Sequence, residues 1–215
     1  LKDEQYQIDF EDFEEKVKTC KLFILCNPHN PGGRVWTKDE LERLASICLK
    51  HKVLMISDEI HADLTLPPYQ HTPLATLSKE VAESCVTFSS ASKTFNMAGL
   101  ASAYAVIPNA EVRKKFLDKT VGYMLTDGNV FAFQTTVAAY EQGEEWLSQL
   151  LSYIQGNIDY LTQYIDQHLP KVKYIVPQAS YLVFLDFREL GLSQKELVSL
   201  CTNQAHLALV DGSVF

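Results

Sequence analysis

The chain has 215 residues, 47% of them hydrophobic, and its 27 acidic and 19 basic side chains leave a net charge of −8. That length suits one large domain or one and a half, and that charge argues against nucleic acid or an anionic membrane surface as a partner. No run of about 18 apolar residues occurs, so no transmembrane helix is expected. Leu1-Lys2-Asp3-Glu4-Gln5 resembles neither a signal nor a transit peptide, and with no initiator Met the chain is expected to begin inside a longer protein. Five cysteines, mostly in apolar segments and without a C-x-x-C pair, predict buried reduced thiols in a cytoplasmic protein.

Phe10, Phe13 and Val17 recur at helical spacing and predict a helix over 10–18. Residues 22–26 read as a strand, ended by the Asn-Pro and Pro-Gly steps of 27–32. Thr37 and Glu40 form a capping box for a helix running to about residue 50, with Leu41, Leu44, Ala45 and Cys48 on one face. A nearly all-apolar strand follows at 53–57, as expected of a parallel strand buried on both faces. A loop at 64–71, a short helix at 73–80 and a strand at 85–89 complete a βαβαβ unit, whose crossovers are expected to be right-handed. The strand predicted at 104–107 follows too soon for a parallel return and is expected to be antiparallel. Helices are predicted at 110–119, 129–142 and 144–168, the last with Trp146, Leu150, Tyr153 and Ile154 packed as core. Beyond 170, strands at 172–176, 181–187 and 207–210 and a helix at 193–205 with a second capping box, Ser193 and Glu196, suggest a smaller α/β domain.

The chemistry gathers after the first three strands. Ser89-Ser90-Ala91-Ser92-Lys93-Thr94-Phe95-Asn96 sets one lysine among small and hydroxyl side chains, where a planar ligand can approach and desolvation can free the amine as a nucleophile. Asn27-Pro28-His29-Asn30-Pro31-Gly32-Gly33-Arg34 and Asp58-Glu59-Ile60-His61 occupy the corresponding ends of the two earlier strands. Each stretch alone also reads as an ordinary turn. Asp58, Glu59, His61 and Asp63 could be read as a mixed metal set, although adjacent strand side chains point to opposite faces. Open α/β sheets bind ligands at their carboxyl ends, which is where all three stretches fall.

Together, in this order and spacing, the three motifs resemble the fold-type I pyridoxal-phosphate enzymes. Among them the chain is most similar to the cystathionine β-lyase (cysteine-S-conjugate β-lyase) branch of the class I/II aminotransferase superfamily. The resemblance covers nearly the whole chain. It implies an α/β fold with a mostly parallel sheet and helices on both faces, divided into a cofactor-binding large domain over 1–143, a connecting helix over 144–169 and part of a small domain over 170–215. It implies that pyridoxal 5'-phosphate is the cofactor, that a small amino acid is the substrate, and that the intact protein is a homodimer.

By the same resemblance, Lys93 carries the cofactor and serves as general base toward the substrate α-proton. Asp58 pairs with the ring nitrogen, and an anion there raises the nitrogen's proton affinity. Asn30 donates to the ring oxygen. His61 stands where aminotransferases have a tyrosine and the β-lyase branch has a histidine. Ser90 and Ser92 are the phosphate contacts, Ser90 the more direct. Aminotransferases place a phosphate-clamping arginine eight residues after the lysine, where this chain has Ala101. The compensating charge must come from elsewhere, a helix N-terminus being one source. Arg34 and Arg188 match structural positions. The family's amino-terminal phosphate loop and stacking ring, and its carboxyl-terminal substrate-binding arginine, have no counterpart in these residues. The implied reaction is C–S β-elimination from cystathionine or a related S-substituted cysteine, giving a thiol, pyruvate and ammonia. Transamination is the alternative within the superfamily. A regulatory protein-binding role is the alternative outside catalysis, since some members of this family also bind a transcription regulator.

Overall fold

The computed structural model describes residues 5–125 and 128–215. Its centre is a four-stranded sheet in the order β1 (Leu22–Cys26), β2 (Leu54–Asp58), β3 (Cys85–Ser89), β4 (Tyr104–Val106). β1, β2 and β3 are parallel, and β4 runs antiparallel to β3, as its short connection predicts.

The helices form where local signals call for them. Asp9 caps α1 (Phe10–Val17) by accepting from the Asp12 N–H. The Thr37–Glu40 capping box opens α2 (Lys38–Lys50), whose Leu41, Leu44, Ala45, Ile47 and Cys48 are buried. They pack with Leu25 of β1, Met55 of β2, Cys85 of β3 and Val81 of α3 (Lys79–Glu83). Each fully buried aliphatic side chain contributes about 1.5–3 kcal/mol. The helix predicted at 73–80 divides, with a 3-10 turn at Leu74–Thr76 before Ser78 caps α3.

On the other sheet face Phe88 meets Phe116 of α5 (Ala110–Gly122), with ring centroids 5.9 Å apart. Toward β1 that face is open, with Leu22 42% and Ile24 62% exposed, unusual for strands of a parallel sheet. α6 (Val130–Gln142) and α7 (Glu144–His168) follow the predicted boundaries closely. Ile154 and Ile158 of α7 pack on Leu66, with Leu150 alongside, whereas Trp146 and Tyr153 are exposed rather than core. Trp146 packs instead against Phe95, ring centroids 5.8 Å apart.

The C-terminal predictions need correction. Only Lys173–Tyr174 (β5) and Leu185–Asp186 (β6) pair as strands, antiparallel to each other. Between them the backbone bonds elsewhere. Gln178 N–H donates to Gly33 O (2.7 Å), Leu66 N–H to Gln178 O (2.9 Å) and Ser180 N–H to Leu64 O (2.8 Å). The turn at 177–180 is thus buried against the large sheet's loops instead of ending two long strands. α8 (Gln194–Ser199) has its capping box but passes into a π turn at Leu200–Gln204, and residues 207–210 form no strand. The thiol prediction holds for Cys48 and Cys85, whose burial raises both to about 11; Cys26 and Cys201 are half-buried and Cys20 is exposed.

Gly33 shows how tightly the 177–180 turn is docked. Its φ is +66°, and a Cβ there would lie 2.5 Å from the Pro177 Cβ. Gly33→Ala combines left-handed strain with that clash and should destabilise the fold by about 1–3 kcal/mol. A thermal melt equal to that of the parent chain would contradict this docking.

Candidate functional site

The site begins with register. Cys26 of β1 pairs with Asp58 of β2, and Asp58 with Phe88 of β3, so the three strands end level. Two further bonds continue the ladder past the ends, Asn27 N–H to Asp58 O (3.0 Å) and Glu59 N–H to Phe88 O (2.9 Å). Each motif therefore leaves its strand at the same height.

Asp58 is the last residue of β2, half-buried, with Oδ1 accepting from the Ile60 N–H at 3.2 Å. Glu59 points to the opposite face and is buried. Its Oε1 accepts from the Ser57 hydroxyl (2.8 Å) and the Leu74 N–H (3.0 Å), and its Oε2 lies 3.0 Å from His71 Nε2. That arrangement ties the 71–74 loop beneath the strand end. His61 is 3% exposed, and its Nδ1 is buried without a hydrogen-bond partner among the described residues. Burial pushes the His61 pKa down and Lys93 pushes the same way, while Asp58 opposes them. Asp58, His61 and Lys93 thus lie close enough for both charges to act on one imidazole.

Lys93 sits on α4 (Ala91–Thr94), half-buried. Ser90 caps this turn, its Oγ accepting from the Ser92 N–H at 3.0 Å and donating to the Ser102 carbonyl. The hydroxyl's single proton is therefore committed inside the protein. α4 has only four residues, so its start lacks the aligned peptides of a full helix dipole and is a poor substitute for a phosphate-clamping arginine. Ala101 is exposed, with φ +50°, at the end of the following 3-10 turn.

Asn30 lies one strand away, exposed, with its N–H 3.5 Å from Cys26 Sγ. Its side chain is not drawn into the Asp58–His61–Lys93 group. With Tyr181 it lines a trough of about 2020 Å³ between the loops at 5–6, 30–31 and 69 and the segment from residue 165 onward. That is well above the roughly 300–1,000 Å³ of a formed ligand pocket, so the trough is a gap rather than a fitted site. Tyr181 reaches back to His61, ring centroids 6.4 Å apart.

The two arginines are occupied. Arg34 makes two 3.0 Å contacts with Glu40, a third of 3.0 Å with Gln178 Oε1, and stacks over Trp36. Arg188 is held by Asp186. Asp63, weighed in the sequence only as a metal ligand, instead accepts from Thr94 (2.9 Å) and Tyr140 (3.3 Å). Asp58, Glu59 and Asp63 therefore bond in three different directions.

All 215 residues match the family model for class I and II aminotransferases. The chain belongs to that family. It is 43% identical to the cystathionine beta-lyase PatB of Bacillus subtilis over 100% of this chain and 56% of the relative. It superposes with a TM-score of 0.97 on a PLP-bound putative aminotransferase from Clostridium difficile 630, 46% identical over 99% of this chain and 55% of that one. It superposes with a TM-score of 0.88 on the PLP-bound C-S lyase from Staphylococcus hominis, 33% identical over 99% of this chain and 54% of that one. The chain spans about half the length of the curated relatives it matches.

The site carries a pH signature. Burial holds the pKa of His61, and that of His29, below the ordinary 6.5. The unfolded chain therefore takes up protons that the folded one resists. The stability involved is complete above about pH 6.5 and is lost as pH falls through the lowered folded values. Glu14, held near 2 by Lys50 and His51, acts in a separate window, below the ordinary 4.5. The urea midpoint should fall between about pH 7 and pH 5, and a midpoint that rises on acidification over that range would contradict the buried neutral imidazoles.

Proposed function

We propose that the whole protein is a pyridoxal-phosphate-dependent C–S β-lyase acting on cystathionine or a related S-substituted cysteine, with Lys93 as its reactive amine. The observation that carries this reading is the convergence of Asp58, His61 and Lys93 at the level ends of the three parallel strands. The donor set fits the cofactor: a primary amine for its aldehyde, a carboxylate for its ring nitrogen, and a buried imidazole whose Nδ1 has no hydrogen-bond partner among the described residues. Asn30 and His61 serve the ring oxygen. Ser92 and Ser90 serve the phosphate, Ser90 by turning its hydroxyl away from the Ser102 carbonyl. When bound, the cofactor withdraws electron density from the substrate Cα, which acidifies the α-hydrogen.

The chain's residues supply the rest. Asp58 would accept a hydrogen bond from the ring nitrogen and so favour a proton there. His61, kept neutral by burial, orients the ring without adding a second positive charge beside Lys93. The Lys93 amine would take the α-proton and hold it while the Cβ–S bond breaks with its electron pair on sulfur, and the departing thiolate then takes up a proton from water. Water then converts the released enamine to pyruvate and ammonia.

Two positions favour elimination over transamination: His61, and Ala101 in place of an arginine. Residues 1–143 form part of the large domain, 144–169 the connecting helix and 170–215 part of the small domain. The intact enzyme is a cytoplasmic homodimer.

Pyruvate formed from cystathionine with no 2-oxo acid supplied would support this reading; no pyruvate, but transfer of the amino group to an added 2-oxo acid with the C–S bond intact, would overturn it. In that assay Asp58→Ala should keep the cofactor but lose most turnover. One charge-assisted hydrogen bond is worth about 1.5–3 kcal/mol, or roughly tenfold to over a hundredfold in rate. Near-normal turnover would remove Asp58 from its role. The 215-residue chain alone, with its open sheet face and unfitted trough, should bind pyridoxal phosphate weakly and show no lyase activity. Stoichiometric cofactor absorbance with turnover would show that these residues suffice.

A further inference from the structure

The reactive lysine stands on an unusually weak support. α4 is four residues long, and a single turn does not hold itself together in water. Ser90 closes its start, and the opposite end is tied from outside. Thr94, next to Lys93 and 0% exposed, donates its hydroxyl to Asp63 Oδ2 at 2.9 Å. The same oxygen accepts from Tyr140 of α6 at 3.3 Å, and Tyr140 lies 3.5 Å from the Tyr104 hydroxyl on β4. Burial, then Tyr104 and Asp63, push the Tyr140 pKa up, so it remains a donor throughout the working range. Bonds to a carboxylate are stronger than neutral ones, and this one joins two segments that otherwise leave the sheet on different strands.

Asp63 follows His61 by two residues and Asp58 by five. One carboxylate therefore links the Asp58–His61 segment to the Lys93 turn. We propose that Asp63 is a positioning residue that, through the Thr94 hydroxyl, sets the Lys93 amine against Asp58 and His61. The catalytic part of this inference rests on Lys93 being the reactive amine; the tie itself does not.

The test uses the holoenzyme with Thr94→Val, which keeps the shape and removes the hydroxyl, and Thr94→Ser, which restores it. Asp63→Ala probes the same tie from the other side should the valine variant not fold. Three readouts follow the variants, namely steady-state kinetics (kcat and KM), the pH midpoint of the bound cofactor's visible absorbance and hydrogen exchange of the amides at 91–97, and borohydride reduction with peptide mapping locates the lysine that carries the cofactor. Thr94→Val should speed that exchange, displace the midpoint and lower kcat by about ten- to a hundredfold, the scale of a small misplacement of a reacting group. KM should change far less, and Thr94→Ser should recover all three. Unchanged exchange would overturn the tie. Faster exchange with kcat and midpoint unaltered would reduce it to a packing contact and overturn the positioning role. Faster exchange with the cofactor found on another lysine would overturn the reading of Lys93 while leaving the tie in place.

Discussion

Everything at this site depends on three parallel strands ending at the same height. The Cys26–Asp58–Phe88 register, continued by the bonds at Asn27 and Glu59, leaves no slack in where the loops begin. A shift of one residue in β2 would exchange Asp58 with Glu59 or Ser57 and put the wrong side chain on the ligand side. The alternation that aims Asp58 outward also sends Glu59 inward, to Ser57, Leu74 and His71. That buried carboxylate is fully partnered, as burial requires. It secures the 71–74 loop beneath Asp58.

The site is built from segments with little rigidity of their own. A four-residue turn carries Lys93 and a loop carries Asn30. What fixes them is long-range: Asp63 on Thr94, Gln178 on Arg34 and Val35, and the 177–180 backbone on residues 33, 64 and 66. Arg34 illustrates the division of labour. Its guanidinium makes five hydrogen bonds, two to Glu40 and one each to Gln178, the Val35 carbonyl and the Tyr6 carbonyl, so it braces the turn between β1 and α2. Loops placed by a rigid scaffold are the usual seat of function, and here the polar staples extend that rigidity to the loops themselves.

Much of this was legible in the sequence, for a physical reason. α2 and α7 carry strong amphipathic periods, and Thr37–Glu40 and Ser193–Glu196 are capping signals complete within four residues. The direction of β4 followed from chain length alone. Asp58, His61 and Lys93 could be placed together because strand ends can be counted. The rest depends on partners far along the chain. Residues 172–176 and 181–187 have strand-like composition, but only their outer ends pair, and the backbone of Gln178 and Ser180 between them bonds to residues 33, 64 and 66, which no local pattern announces. Asp63 stood within the Asp-Glu-Ile-His-Ala-Asp stretch and was noticed only as a metal ligand; its partners Thr94 and Tyr140 lie 31 and 77 residues away. Ser90 looked free for a phosphate because sequence cannot show that its proton goes to Ser102.

The amine proposed to react is the one just past the end of β3, on Lys93. Borohydride reduction of the cofactor-loaded protein, followed by proteolysis and mass spectrometry, reads this directly. The account predicts a single pyridoxyl group, on the peptide containing Lys93. Label on Lys79 or Lys114 instead would contradict it.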